Sequence, residues 1–331
     1  MRTALTDLLG LQTPIVQAPM GGACGPALAA AVSNAGGLGM LALSWSRPDD
    51  VRRQVRDTRA LTSRPFGVNL VLAFPQEERL AICLAERVPV ISFFWGDPAP
   101  FVDRVHAADA RVLQTVASAA QARSAVEAGV DAVVAQGWEA GGHVLGQVAT
   151  LPLVAAVVDA VRPTPVIAAG GIADGRGLAA VLALGAAGAW IGTRFLASDE
   201  AVIHHHYRQR LLAADETDTV YSSLFDGGWP DAPHRTLRNR TTRDWEAAGR
   251  PPTGQRPGEG EAVASTPRGD IFRYQSATPT PEATGDIDAL SLWAGQGVAM
   301  VKSRQPAAAI VAEITNEAET VLRGLVLNLD R

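Results

Sequence analysis

The 331-residue chain has only two cysteines, Cys24 and Cys83, too few and too far apart for a disulfide framework or a zinc site. Cys83 falls in a helical pattern and reads as a small core residue. Cys24 lies in a glycine-rich loop with no base beside it to activate a nucleophile. An excess of one charge is also missing, because 29 basic against 34 acidic side chains leave a formal net charge of −5. That balance gives no electrostatic reason to expect nucleic acid or an anionic membrane as the partner. No apolar run reaches the ~18 uninterrupted residues of a membrane span, and the opening residues Met1 to Asp7 lack the apolar core of a signal peptide. The expectation is a cytoplasmic protein with no membrane segment.

What the sequence does contain is alternation. Hydrophobic residues make up 47% of the chain, enough to bury a large core. Runs rich in Val, Ile and Ala alternate with helix-period segments to about residue 200, the pattern of a parallel sheet. The predicted strands are Pro14–Met20, Leu38–Ser44, Phe66–Leu72, Val90–Trp95, Val112–Ala117, Asp131–Gln136, Pro165–Gly170 and Ala189–Phe195. Pro26, Pro48, Ser118 and Asp174 stand where intervening helices should start. Eight βα units in about 200 residues predict an α/β protein of the (β/α)8 TIM-barrel class rather than a doubly wound sheet. Beyond them the pattern is irregular and rich in Pro, Gly, Arg and Thr. Residues 1–200 with 287–331 are expected to form the barrel, and 201–286 a smaller, mostly helical cap. His204, His205 and His206 diverge by about 100° per residue on a helix, so they cannot share a metal. They are expected at the surface or at a subunit contact, compatible with a homodimer, and no metal site is predicted.

The stretch Ala135-Gln136-Gly137-Trp138-Glu139-Ala140-Gly141-Gly142-His143 follows the sixth predicted strand and interrupts the apolar pattern. Its glycines allow the backbone to approach a ligand, while Gln136, Glu139 and His143 supply donors, acceptors and a base. Met20-Gly21, Ser44, Asn69, Trp95, Gln136, Gly170-Gly171 and Gly192-Thr193 all stand at the C-terminal ends of strands, which share one face of a barrel. A phosphate is best held by backbone N–H groups at glycine turns near helix N-termini. Gly170-Gly171-Ile172 and Gly192-Thr193-Arg194 fit that need on neighbouring strands, so a phosphorylated cofactor is expected. The rival, a Rossmann turn at Gly21-Gly22-Ala23-Cys24-Gly25, has the wrong spacing and no acid about twenty residues on.

Gln17-Ala18-Pro19-Met20-Gly21, Gly67-Val68-Asn69, the run Gln136 to His143, Ala168 to Ile172, Ile191-Gly192-Thr193 and Gly295-Gln296 resemble the nitronate monooxygenase family, formerly the 2-nitropropane dioxygenases. The resemblance runs in order from about residue 12 to 325. It implies FMN at the C-terminal mouth of a TIM barrel, with a smaller domain over it. Carried over by position, Asn69, Gln136, Gly141, Gly142, Gly170, Gly171, Trp190, Ile191, Gly192, Thr193 and Gln296 match FMN-binding positions. Ala18, Pro19 and Met20 would lie along the reactive edge of the flavin, and His143 matches the catalytic base. The implied reaction oxidises an alkyl nitronate or nitroalkane with O2 to a carbonyl compound and nitrite. Many members with nitronate activity have a basic residue directly after this histidine, whereas here the run is His143-Val144-Leu145-Gly146. The alternatives are a quinone or enoyl reductase of the same fold that uses NAD(P)H, and a flavin-binding protein without turnover.

Overall fold

The computed structural model describes residues 1–329. Eight parallel strands form the barrel, in chain order Ile15–Gln17, Gly39–Ala42, Phe66–Val71, Val90–Phe94, Arg111–Val116, Ala132–Gln136, Val166–Ala169 and Gly188–Ile191. They are called the first to the eighth below. Each pairs with its successor from the second to the eighth, and the eighth pairs with the first in register Val16↔Trp190. The first and second meet at a parallel bridge, Val16↔Leu38, where the Leu38 N–H donates to Ile15 O and the Gln17 N–H to Leu38 O, each at 2.9 Å. That bridge closes the ring, and the fold is a TIM barrel.

The period of two along each strand divides the core. Ile15, Leu41, Val68, Ile91, Val133, Ala168 and Ile191 face the surrounding helices, with which they form one continuous apolar layer. Val16, Met40, Val90, Leu113, Val134, Ile167 and Trp190 point the other way and fill the barrel interior. Leu5 and Leu9 of the short helix Ala4–Leu9 join this interior cluster and plug one end of the barrel. The other end, where the strands finish, is left to the loops.

The C-terminal ends of the first and eighth strands depart most from the sequence expectation. The first strand stops at Gln17, whose buried side chain accepts from the Met40 N–H at 3.0 Å, so Ala18, Pro19 and Met20 form a loop rather than strand. The eighth stops at Ile191 because Gly192 opens a short helix, Thr193–Leu196, whose apolar residues mimic a longer strand.

Between 201 and 286 the chain has helices His205–Ala213 and Arg240–Ala247, and also two small antiparallel sheets. One sheet joins Thr219–Ser222 and His234–Leu237 to the two-residue strand Gly142–His143 of the loop after the sixth strand. The other joins Gly269–Phe272, Ala262–Thr266 and Thr284–Gly285. His204 is a correction to the expected surface triplet: it is buried, and its Nδ1 accepts from the His206 N–H at 3.1 Å to cap the helix that follows. Among the described residues no helix is long and apolar enough to cross a membrane.

Candidate active site

Four glycine-bearing segments meet at the strand ends, and the packing shows why side chains are missing there. A Cβ on Gly141 would lie 2.5 Å from the Gly295 nitrogen, one on Gly170 2.9 Å from Gly137 O, and one on Gly297 2.9 Å from Gly171 O. Backbone therefore stacks directly on backbone. Gly170 and Gly171 have φ of +107° and +71°, a region that only glycine enters cheaply. The Gly295 N–H donates to Thr193 Oγ1 at 3.0 Å, and the Gln296 N–H to Glu139 O at 2.9 Å. These bonds bring Gln296 and Thr193 together with the loops after the sixth and seventh strands.

At Gly171 and Gly192 the picture is more open. A Cβ on Gly171 would touch only Glu139 Cβ, at 3.5 Å, and one on Gly192 only Ala18 Cβ at 3.5 Å and Met20 Sδ at 3.8 Å. Both are half-buried, so their backbone is available to a ligand. Asn69 stands two residues before the end of the third strand, diametrically opposite the seventh in the ring of eight. An elongated ligand with a phosphate at Gly171 and Gly192 could thus reach across the mouth towards Asn69, past Ala18, Pro19 and Met20. Trp190 is buried in the barrel interior and floors this space, while the Ile191 side chain faces the outer layer and offers only its backbone. Gln136 is committed to its own loop: its Nε2 donates to His143 O at 3.1 Å.

Glu139 is not a catalytic acid or base in this arrangement. Its carboxylate accepts from the Thr150 N–H at 2.9 Å and from Thr150 Oγ1 at 3.0 Å, at the N-terminus of the helix Thr150–Val161. Thr150 Oγ1 also lies 3.0 Å from Gly170 O. The negative charge sits where unpaired N–H groups and the helix dipole favour it.

His143 is held in an aromatic box. Its ring stacks on Trp229 with centroids 4.2 Å apart and planes inclined by 26°. Trp293 lies 5.2 Å away, His234 5.6 Å and Trp95 6.4 Å. Trp95 adopts φ +60° immediately after the fourth strand, a conformation a bulky residue keeps only when its surroundings hold it. His143 Nε2 is buried without a hydrogen-bond partner. Burial pushes the imidazole pKa down to about 3, with a smaller contribution from His234. His234 is itself fixed as a neutral ring: the Phe225 N–H donates to its Nε2 at 3.1 Å, which leaves Nδ1 to donate to Ala232 O at 2.9 Å. Burial is also the main reason its pKa falls to about 4. The site therefore contains one free, uncharged imidazole in a medium that disfavours charge.

Sequence reasoning missed Trp229 at this site, and with it Trp45 and Phe74, whose ring centroids lie 5.8 Å and 5.4 Å from the Trp229 ring. Trp45 and Phe74 stand just past the ends of the second and third strands, so their position on the catalytic face was a usable signal. Trp229 and His234 had no such signal, because they reach His143 through long-range strand pairing. Cys24 needs no such revision: its Sγ is engaged by the Met20 backbone, and burial raises the thiol pKa to about 11.

A barrel with glycine turns at the seventh and eighth strands and one neutral histidine over its mouth has the architecture of a flavin-type oxidoreductase. The nitronate monooxygenase family model matches residues 2–79 and 71–317, and the chain belongs to that family. It is 41% identical over 250 residues to (3aS,4S,5R,7aS)-5-hydroxy-7a-methyl-1-oxo-octahydro-1H-indene-4-carboxyl-CoA dehydrogenase of Rhodococcus jostii, covering 75% of this chain and 69% of the relative. Among solved structures, FabK from Thermotoga maritima superposes with a TM-score of 0.84 at 35% identity, over 98% of both chains. Nitroalkane oxidase from Streptomyces ansochromogenes does so with a TM-score of 0.80 at 32% identity, over 98% of this chain and 100% of that one.

Two predictions follow from the Glu139 cap and the buried imidazole. Glu139→Gln keeps an acceptor but loses the charge, and should lower stability by about 1–2 kcal/mol in urea unfolding; an unchanged midpoint would mean that the cap contributes nothing. For His143, the folded pKa of about 3 lies below the unfolded value near 6.5, so between them the unfolded chain binds the extra proton. Stability must then fall as pH drops below about 6.5. His143→Phe should remove part of that loss, retaining about 1–2 kcal/mol more than the parent on going from pH 7.5 to pH 5, and identical acid sensitivity would refute the buried neutral imidazole.

Proposed function

We propose that the protein is an FMN-dependent oxidoreductase that oxidises nitroalkanes and alkyl nitronates with O2 to carbonyl compounds and nitrite. The observation that carries this reading is the neutral His143, its Nε2 free and buried beside the glycine-lined mouth. FMN fits the residues present: open backbone at Gly171 and Gly192 suits its phosphate, and Asn69 across the mouth suits the polar rim of its ring. Gly141, Gly142, Gly170, Thr193 and Gln296 would shape the cradle, with Ala18, Pro19 and Met20 along the ring edge. When bound, FMN supplies the electron-accepting chemistry and the reaction with O2.

The chain's own part is proton transfer and exclusion of water. A nitro group acidifies the adjoining C–H, so a weak base can take that proton once the developing negative charge lies beside it. Nε2 of His143 is already unprotonated at neutral pH, and a nitronate formed next to it would raise its proton affinity. The box formed by Trp95, Trp229 and Trp293 keeps water from the pair. We assign residues 201–286 as a cap over this mouth, and place the protein in the cytoplasm. A second reading, an NAD(P)H-dependent reductase or dehydrogenase, is favoured by the 41% identity to an enzyme named as a CoA-thioester dehydrogenase.

Two measurements test the proposal. The purified protein should release FMN on denaturation, and Gly171→Asp should abolish flavin retention by placing a carboxylate at the phosphate position; full occupancy in that variant would put the phosphate elsewhere. His143→Asn should lose activity on neutral nitroethane by a factor of the order of 10²–10⁴, followed as nitrite release, and should retain more of it on preformed ethylnitronate. Equal, small losses on both would make His143 a positioning residue.

A further inference from the structure

The contacts around His143 continue into a closed ring at the barrel mouth. A Cβ on Gly21 would lie 3.8 Å from the Trp45 ring, and the Trp45 and Trp229 ring centroids are 5.8 Å apart. Trp229 stacks on His143, and Trp293 lies 5.2 Å beyond it. Trp293 Nε1 donates to Thr278 Oγ1 at 3.1 Å, and that hydroxyl donates to Gly21 O at 2.6 Å, which returns to the start. Phe74 backs the wall, 5.8 Å from Trp45 and 5.4 Å from Trp229.

This ring contains no charged side chain. Val144, next to His143, is fully buried. Exposure is graded, from 53% at Trp45 on the outside to 6% at Trp229 against the imidazole. An anion entering here would shed water without meeting a counter-charge, whereas a flat apolar group would meet successive aromatic faces.

We propose that Trp45, Phe74 and Trp229 form a specificity subsite that receives an apolar ring carried by an uncharged substrate. The ring would sit against Trp45 while the acidic C–H is presented to His143. The inference rests on the reading of His143 as the proton acceptor, and it makes a nitroalkane that carries an apolar ring a better substrate than nitroethane.

The test uses unreactive probes, so it does not depend on turnover. Binding of 4-phenylbutan-2-one, butan-2-one and 3-phenylpropionate to the flavin-loaded protein would be measured by calorimetry. The phenyl ketone should bind about tenfold or more tightly than butan-2-one, and more tightly than the charged acid. Trp45→Ala should erase the ring preference, Trp45→Phe should restore most of it, and flavin content should stay the same in both. Equal affinities for the two ketones, tightest binding of 3-phenylpropionate, or an undiminished preference in Trp45→Ala would each overturn the subsite. If ring binding holds while no nitro compound is oxidised, the reaction class fails and the subsite stands.

Discussion

The Glu139 carboxylate at the N-terminus of the helix Thr150–Val161 is the interaction on which the rest of the site depends. One residue fixes three segments at once. Its side chain holds the Thr150 N–H and hydroxyl, its carbonyl receives the Gln296 N–H, and its Cβ borders the space over Gly171. Through Thr150 the same group reaches Gly170 O. The glycine turns after the sixth and seventh strands and the segment around Gly295 are thereby held in register, although they are far apart in sequence. Charge-assisted bonds at a helix N-terminus, each contributing about 1.5–3 kcal/mol, are strong enough to order loops that have no regular ladder of their own.

Above that cradle the chemistry is set by the absence of charge. His143 and His234 are both neutral, one because nothing pairs with it and the other because both ring nitrogens are committed to backbone groups. In so apolar a setting a proton moves readily only when charge is created and neutralised within the same contact. That requirement matches a substrate that becomes an anion at the moment the imidazole becomes a cation. It also explains why the strained Trp95 and the stacked Trp229 stand where they do, since they exclude the water that would otherwise solvate either ion.

Much of the fold was legible because the barrel is written locally. Alternating apolar residues and turn signals located all eight strands, and the glycines at Gly170, Gly171 and Gly192 follow the seventh and eighth of them at the barrel mouth. The errors have physical causes. Ala189 to Phe195 reads as one strand, but Gly192 starts a helix inside it. Glu139 reads only as a polar group of a glycine-rich loop, because its partner is the first N–H of a helix eleven residues on. His204 looks like a surface residue because periodicity cannot show that it caps a helix from a buried position. The aromatic box was hidden for a related reason: Trp229 and His234 approach His143 only through the pairing of His234–Leu237 with Gly142–His143.

The most direct test of the central claim is an anaerobic titration of the purified protein, followed through its flavin absorbance. Nitroethane and ethylnitronate should change the oxidised spectrum, with readmitted O2 restoring it and nitrite appearing in step, while NADH and NADPH leave it unaltered. Rapid bleaching by a nicotinamide cofactor with no response to either nitro compound would contradict the account and assign the site to a reductase or dehydrogenase.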